Sequence, residues 1–265
     1  MDAYELMIKS NHHLIKGGSF TASQRNTVIK GLLSAESSSA CAERFYEGVR
    51  YFGNTDNSGR RMYPIFFIPP YNDGKKLLTV LYQTPKTQLF SANMYELEIL
   101  RLLCVLAPEN DRVRQMTAQT LDRLKTTCFG YKDDGVGECF DASLVVLRFL
   151  AAAAPEETGW IKSRIDNYTR HADEKKRTSF SKWYFLLCLS ELPADIAAKE
   201  SCIKEILTWL NEKSLVMNSE RDRSIHPVLF CIMRNFLSKF PEYEYIKERQ
   251  PYVGGDGRLR FDMTR

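Results

Sequence analysis

Apolar residues recur at helical spacing along this chain, and four of the strongest runs stop at a proline. Met94–Ala107 precedes Pro108, Phe140–Ala154 precedes Pro155, Phe180–Leu192 precedes Pro193, and His226–Phe240 precedes Pro241. Proline suits such a boundary because it pushes the preceding residue out of the α region. The four stops stand 47, 38 and 48 residues apart, the length of a two-helix repeat. A more polar segment follows each one: Asp111–Lys125, Glu156–His171, Ala197–Lys213, and a shorter piece at Tyr243–Arg249. In the third of these, Ile203, Ile206, Leu207 and Leu210 form an apolar stripe, with Lys204, Glu205, Asn211 and Glu212 left for water. The segments before the prolines are apolar over a wider arc, as from Trp183 to Leu189, which predicts an inner layer of helices backed by the polar ones.

Upstream, Met1–Lys16 reads as a helix closed by Gly17-Gly18, a second helix capped by Ser23 runs to Ala35, and a third spans Ala40–Phe52. The stretch Asn54–Ser91 breaks this rhythm with glycines, prolines and aromatics. Within it Ile65–Ile68 and Leu77–Tyr82 flank Asn72-Asp73-Gly74, a hairpin signal, and Pro69-Pro70 confines the first strand to an edge. The pattern therefore predicts a mainly all-α chain. Residues 1–265 are expected to form a single α/α-repeat domain curved into a partial toroid or short solenoid, with 54–91 a non-helical insertion carrying a β-hairpin flap around 62–85.

Composition narrows the function classes. With 37 Lys+Arg against 33 Asp+Glu the formal net charge is +4, which lacks the concentrated basic charge of a dedicated nucleic-acid binder. The most apolar run, Ala142–Ala154, is interrupted by Arg148, so no membrane span is expected. The first residues carry acids early and do not read as a signal peptide, so a cytoplasmic location is expected. Seven dispersed cysteines are expected to be reduced thiols.

Candidate chemistry gathers where the inner helices are expected to begin. Counting back from the stop prolines places Cys139 and His226 at equivalent levels, at a rim that also carries Asn93, Glu96, Glu138, Asp141, Lys182 and Trp183. The run Cys128-Phe129-Gly130-Tyr131-Lys132-Asp133-Asp134-Gly135-Val136-Gly137-Glu138-Cys139 permits a tight acidic loop leading into one of these helices. Its structural reading is an interhelical turn with two buried thiols. Its functional reading places Cys139 as nucleophile, His226 as base, and Glu138 and Asp141 beside them, because a thiol at a helix N-terminus is in the setting that favours thiolate. Zinc ligation by Cys128, Cys139 and His226 lacks the paired Cys-x-x-Cys spacing, so no metal is assigned and any cofactor stays open. Arg60, Arg61, Tyr63 and Tyr71 offer cations and rings at the flap, for binding an anion or a nucleic-acid strand, or as charged protection of an apolar hairpin.

Gly137-Glu138-Cys139-Phe140-Asp141-Ala142-Ser143-Leu144 and Ser224-Ile225-His226-Pro227-Val228-Leu229-Phe230-Cys231 resemble the helix starts that carry the zinc-binding Cys and His of protein prenyltransferases, whose α/α toroid is shared with terpenoid cyclases. The resemblance implies a toroidal architecture. An acid standing directly before Cys139, and Pro227 after His226, depart from that pattern. The leading functional expectation is a helical-repeat binding protein that recognises a peptide, a partner protein or an apolar small molecule on a concave inner-helix surface. The alternative is an enzyme of the α/α-toroid type with a Cys/His/acid site at the rim.

Overall fold

A computed structural model of the chain describes residues 2–51, 61–69, 77–131, 138–170, 179–197, 204, 215–216, 220–250, 252–255 and 258–260. These are mostly helical. The long helices are α1 (Ala3–Ile15), α2 (Ala22–Leu33), α3 (Ser39–Tyr51), α4 (Gln88–Leu106), α5 (Asp111–Lys125), α6 (Glu138–Ala153), α7 (Thr158–Arg170), α8 (Ser179–Glu191) and α10 (Glu220–Leu237), with a single turn, α9 (Ala194–Ala197), between the last two. A 3-10 helix, Pro241–Ile246, follows. Three short strands, β1 (Leu215–Val216), β2 (Tyr252–Val253) and β3 (Arg258–Arg260), pair antiparallel in the order β1-β3-β2, with Leu215 opposite Leu259 and Val253 opposite the same residue.

Local chemistry accounts for the helix ends. Thr21 rather than Ser23 caps α2, through a capping box with Gln24; Thr87 caps α4 and Asn110 caps α5, each accepting from a backbone N–H three residues on. Gly17, at φ 84°, closes α1 in the left-handed region that glycine adopts without a Cβ clash. The helices before Pro108, Pro155 and Pro193 end where the prolines require.

Chain contacts divide the molecule into two units, Met1–Asn11 with Ser19–Arg177, and His12–Gly18 with Thr178–Arg265. In the first unit α4 packs along α6, α5 backs α4, and α7 backs α6. The amphipathic α5 buries Val113, Met116, Thr120 and Leu124 on one stripe, while α4 is buried nearly all round, as an inner helix must be. In the second unit α8 packs on α10, and the 3-10 helix also lies against α10. Among its described residues Tyr184, Leu187, Cys188, Val228, Ile232 and Phe236 are fully enclosed, as is Ala197.

The segment predicted as a flap is held down on the first unit. No strand occurs among the described residues 61–69 and 77–87, and the turn Asn72-Asp73-Gly74 lies outside the described residues. The backbone N–H groups of Ile65, Phe66 and Phe67 donate to Glu96 Oε2 at 2.7, 2.6 and 3.2 Å. Ile68 N–H donates to Ser37 Oγ, and Ser37 N–H returns a bond to the Phe66 carbonyl. Phe66, Phe67 and Ile68 are buried, Ile68 within a cluster with Phe45 and Ala92. Period-two patterning read these residues as a strand whose backbone would pair with 77–82; a buried carboxylate takes the donors instead. The second flank turns back on itself at Thr79, whose Oγ1 accepts from Leu81 and Gln83 N–H, with Tyr82 at φ 55°.

Candidate functional site

The helix starts revise the predicted rim. Asn93 and Glu96 lie inside α4, because Thr87 caps that helix at Gln88, and His226 lies inside α10, which begins at Glu220 and carries Pro227 within it. Counting back from the prolines assumed inner helices of equal length, whereas α4, α6, α8 and α10 have 19, 16, 13 and 18 residues. Lys182 and Trp183 fall in the first turns of α8 and are half-buried. Cys139 belongs to the first unit and His226 to the second.

Asn93 and Glu96 are 1% and 0% exposed, and their polar atoms serve the protein itself. Arg123, reaching from α5, donates to Glu96 Oε1 at 2.9 Å and to Asn93 Oδ1 at 2.9 Å. Asn93 Nδ2 donates to the carbonyls of Met62 and Leu89. Burial pushes the Arg123 guanidinium down from its usual range, with Glu96 opposing that shift. The group is an anchor that ties residues 61–67 to two helices. Arg61 is exposed and lends its carbonyl to Arg123; Tyr63 packs edge-on against Phe45 at 5.5 Å; Arg60 and Tyr71 lie outside the described residues.

At the start of α6 the structure gathers chemistry. Glu138 is its first residue, with a side chain outside the described set, and Cys139 its second. Cys139 Sγ lies 3.3 Å from Cys128 Sγ, both half-buried thiols. Asp141 is 7% exposed, and burial raises its carboxyl above the ordinary range against the opposing pull of Lys86. Phe140 stacks on Tyr168 of α7 at 5.3 Å. The turn that carries Cys128 is fixed on the same helix, Trp160 Nε1 donating to the Gly130 carbonyl at 2.8 Å and Arg164 Nη2 to the Tyr131 carbonyl at 2.8 Å. Gly130 is required there: a Cβ would stand 2.1 Å from the Leu124 carbonyl oxygen. No cluster of three metal-binding side chains occurs among the described residues.

At the other end of α6, an apolar groove of about 280 Å³ opens between α4, α5 and α6. Cys104, Val113, Ala118, Leu121, Ala152 and Ala153 line it together with Pro108, Arg114 and Thr117. Small side chains on α5 and α6 leave this space. Cys104 shares a hydrogen bond with Thr117 at 3.2 Å, and burial raises its thiol above the usual range, so it is a wall and not a nucleophile. Arg114 is held by Glu109 and Asp111, and neighbouring Val105 is 45% exposed. Sequence reasoning passed over this groove, since its only signal was the run of alanines that ends α6. No helix among the described residues is long and apolar enough to cross a membrane. Compared with protein-family models, with curated proteins and with solved structures, the chain matches none.

Proposed function

We propose that this chain is a binding protein of the helical-repeat kind, its helix pairs stacked as a short solenoid or partial toroid, and that it recognises a peptide or partner protein in the cytoplasm by taking an apolar side chain into the groove between α4, α5 and α6. The observation that carries this reading is the groove itself, an apolar concavity of about 280 Å³ whose lining includes Ala118, Ala152 and Ala153. That volume lies at the low end of the ~300–1,000 Å³ of small-molecule pockets and is room enough for a large apolar side chain presented by a bound peptide. The arrangement of inner helices α4 and α6 with α5 and α7 behind them supports stacked pairs, because each inner face needs a neighbour to bury it.

The test is selection of peptides from a displayed library on the full chain, followed by affinity measurement on two variants. Ala118→Trp fills the groove from its exposed side and is expected to weaken selected peptides at least ~10-fold, equal to ~1.4 kcal/mol, with an unchanged melting temperature. Lys30→Trp, an exposed position on α2, is expected to leave binding intact. Equal binding by both variants would remove the groove from the reading.

A further inference from the structure

The six described cysteines differ sharply in setting. Cys188 and Cys231 are 0% and 2% exposed, and Cys104 is tied to Thr117. Burial pushes the Cys104 and Cys231 thiols up, away from the reactive thiolate. Cys41 is half-buried beside the aromatic cluster of Phe45, Tyr46 and Tyr63. Cys128 and Cys139 are set apart by facing each other at 3.3 Å while each keeps some access to solvent. Neither belongs to the enclosed core, and Trp160, Arg164 and the Phe140–Tyr168 stack position the turn and helix that carry them.

We propose that Cys128 and Cys139 form a redox-active dithiol site that exchanges with a low-molecular-weight disulfide to give a reversible Cys128–Cys139 disulfide. The sulfurs need to approach by about 1.3 Å to reach a bond of ~2.05 Å. The two residues are eleven positions apart in sequence, so the bond would tie the first turn of α6 to the turn at 127–131. The chemistry closes without another reactant. One protein thiol loses its proton and the thiolate attacks a sulfur of RS–SR; the S–S bond breaks, and RS⁻ leaves and takes up a proton. The second protein thiolate then attacks the sulfur of the mixed disulfide, forming the intramolecular S–S bond and expelling a second RS⁻, which is protonated in turn. Two protein thiols are oxidised, one small disulfide is reduced to two thiols, and a dithiol reductant reverses the sequence.

The experiment exposes the full native chain to mixtures of oxidised and reduced glutathione, quenches with an alkylating agent, and maps each cysteine by peptide mass spectrometry. The expected result is that Cys128 and Cys139 are lost together, in a peptide pair lighter by two hydrogens and free of glutathione. Their loss should run at least ~10-fold faster than that of Cys188 or Cys231. In Cys128→Ser, glutathione should remain on Cys139 as a stable adduct, because the resolving sulfur is gone. Circular dichroism of that variant checks that its fold is intact. Persistent glutathione adducts on either residue of the wild-type protein, independent oxidation of the two, or a disulfide from either one to a different cysteine would each overturn the proposal.

Discussion

The described interiors of the two units differ in how much paired charge they bury. The first buries Glu96 against Arg123 at 2.9 Å and Glu98 against Arg148 at 2.6 Å, all four side chains no more than 4% exposed. It also sets Arg101 on Asn11 at 3.2 Å. Among its described residues the second encloses the apolar Leu187, Val228, Ile232 and Phe236, and its buried Arg234 donates to Asn235 and to the Arg249 carbonyl. A buried charge must find every partner, so the first interior accepts few arrangements; an apolar interior asks only for volume and shape. The first unit uses that demand to position a segment with no secondary structure of its own. Glu96 collects three backbone donors that a helix or a sheet would otherwise have to satisfy.

The contrast breaks most visibly at Glu96. Glu96→Ala should cost about 3–5 kcal/mol in denaturant unfolding, since it strands Arg123 and three N–H groups, and amide exchange at Phe66 and Phe67 should rise with it. Even Glu96→Gln should be poorly tolerated, because its amide nitrogen would face donors. Leu187→Ala in the second unit should cost about 2–5 kcal/mol through the cavity it leaves. There the near-isosteric Leu187→Met should cost less than about 1.5 kcal/mol, and a larger loss would show that this interior also demands a single shape.

The Glu98–Arg148 pair tests whether charge is needed at all. Arg148→Leu alone should cost about 3 kcal/mol or more, whereas Glu98→Met with Arg148→Leu should fall within about 1 kcal/mol of the parent or exceed it. A double variant as damaged as the single one would mean the pair does more than neutralise itself. The smallest effect concerns alkali. Tyr95 is 3% exposed and burial pushes its hydroxyl up to about 12, with Asp2 adding to the shift. The folded chain therefore holds this proton more tightly than the unfolded chain, whose tyrosine titrates near ~10. The contribution is whole below the unfolded value and is lost as pH rises from there through about 12. Tyr95→Phe should flatten the fall in melting temperature over that window.

The helices were legible because their signals are local. Apolar period and stop prolines put Asp111–Lys125 at its observed bounds and most other long helices within about two residues, whereas α4 and α10 begin six residues before the predicted Met94 and His226. Of the glycine-rich run, Cys128 and Cys139 come within 3.3 Å of each other at the start of α6, the helix that also carries Asp141. Lys86, distant in sequence, gave no sign that it would face Asp141. Asn93 and Glu96 misled for a physical reason. A polar residue on an inner helix reads the same whether it faces solvent at a rim or meets a buried cation, and the difference lies with Arg123, some thirty residues away.

By itself, then, the sequence determined which of the long described segments are helices and, at Pro108, Pro155 and Pro193, where they stop, because hydrogen bonding within a helix and the rigidity of proline act over a few residues. Tertiary structure alone decided that Glu96 would anchor residues 65–67, that a groove would open over the alanines of α6, and that two thiols eleven positions apart would meet at 3.3 Å. Those outcomes depend on which side chains the packed helices bring within reach of one another, and partner choice over that range is a property of the assembled core.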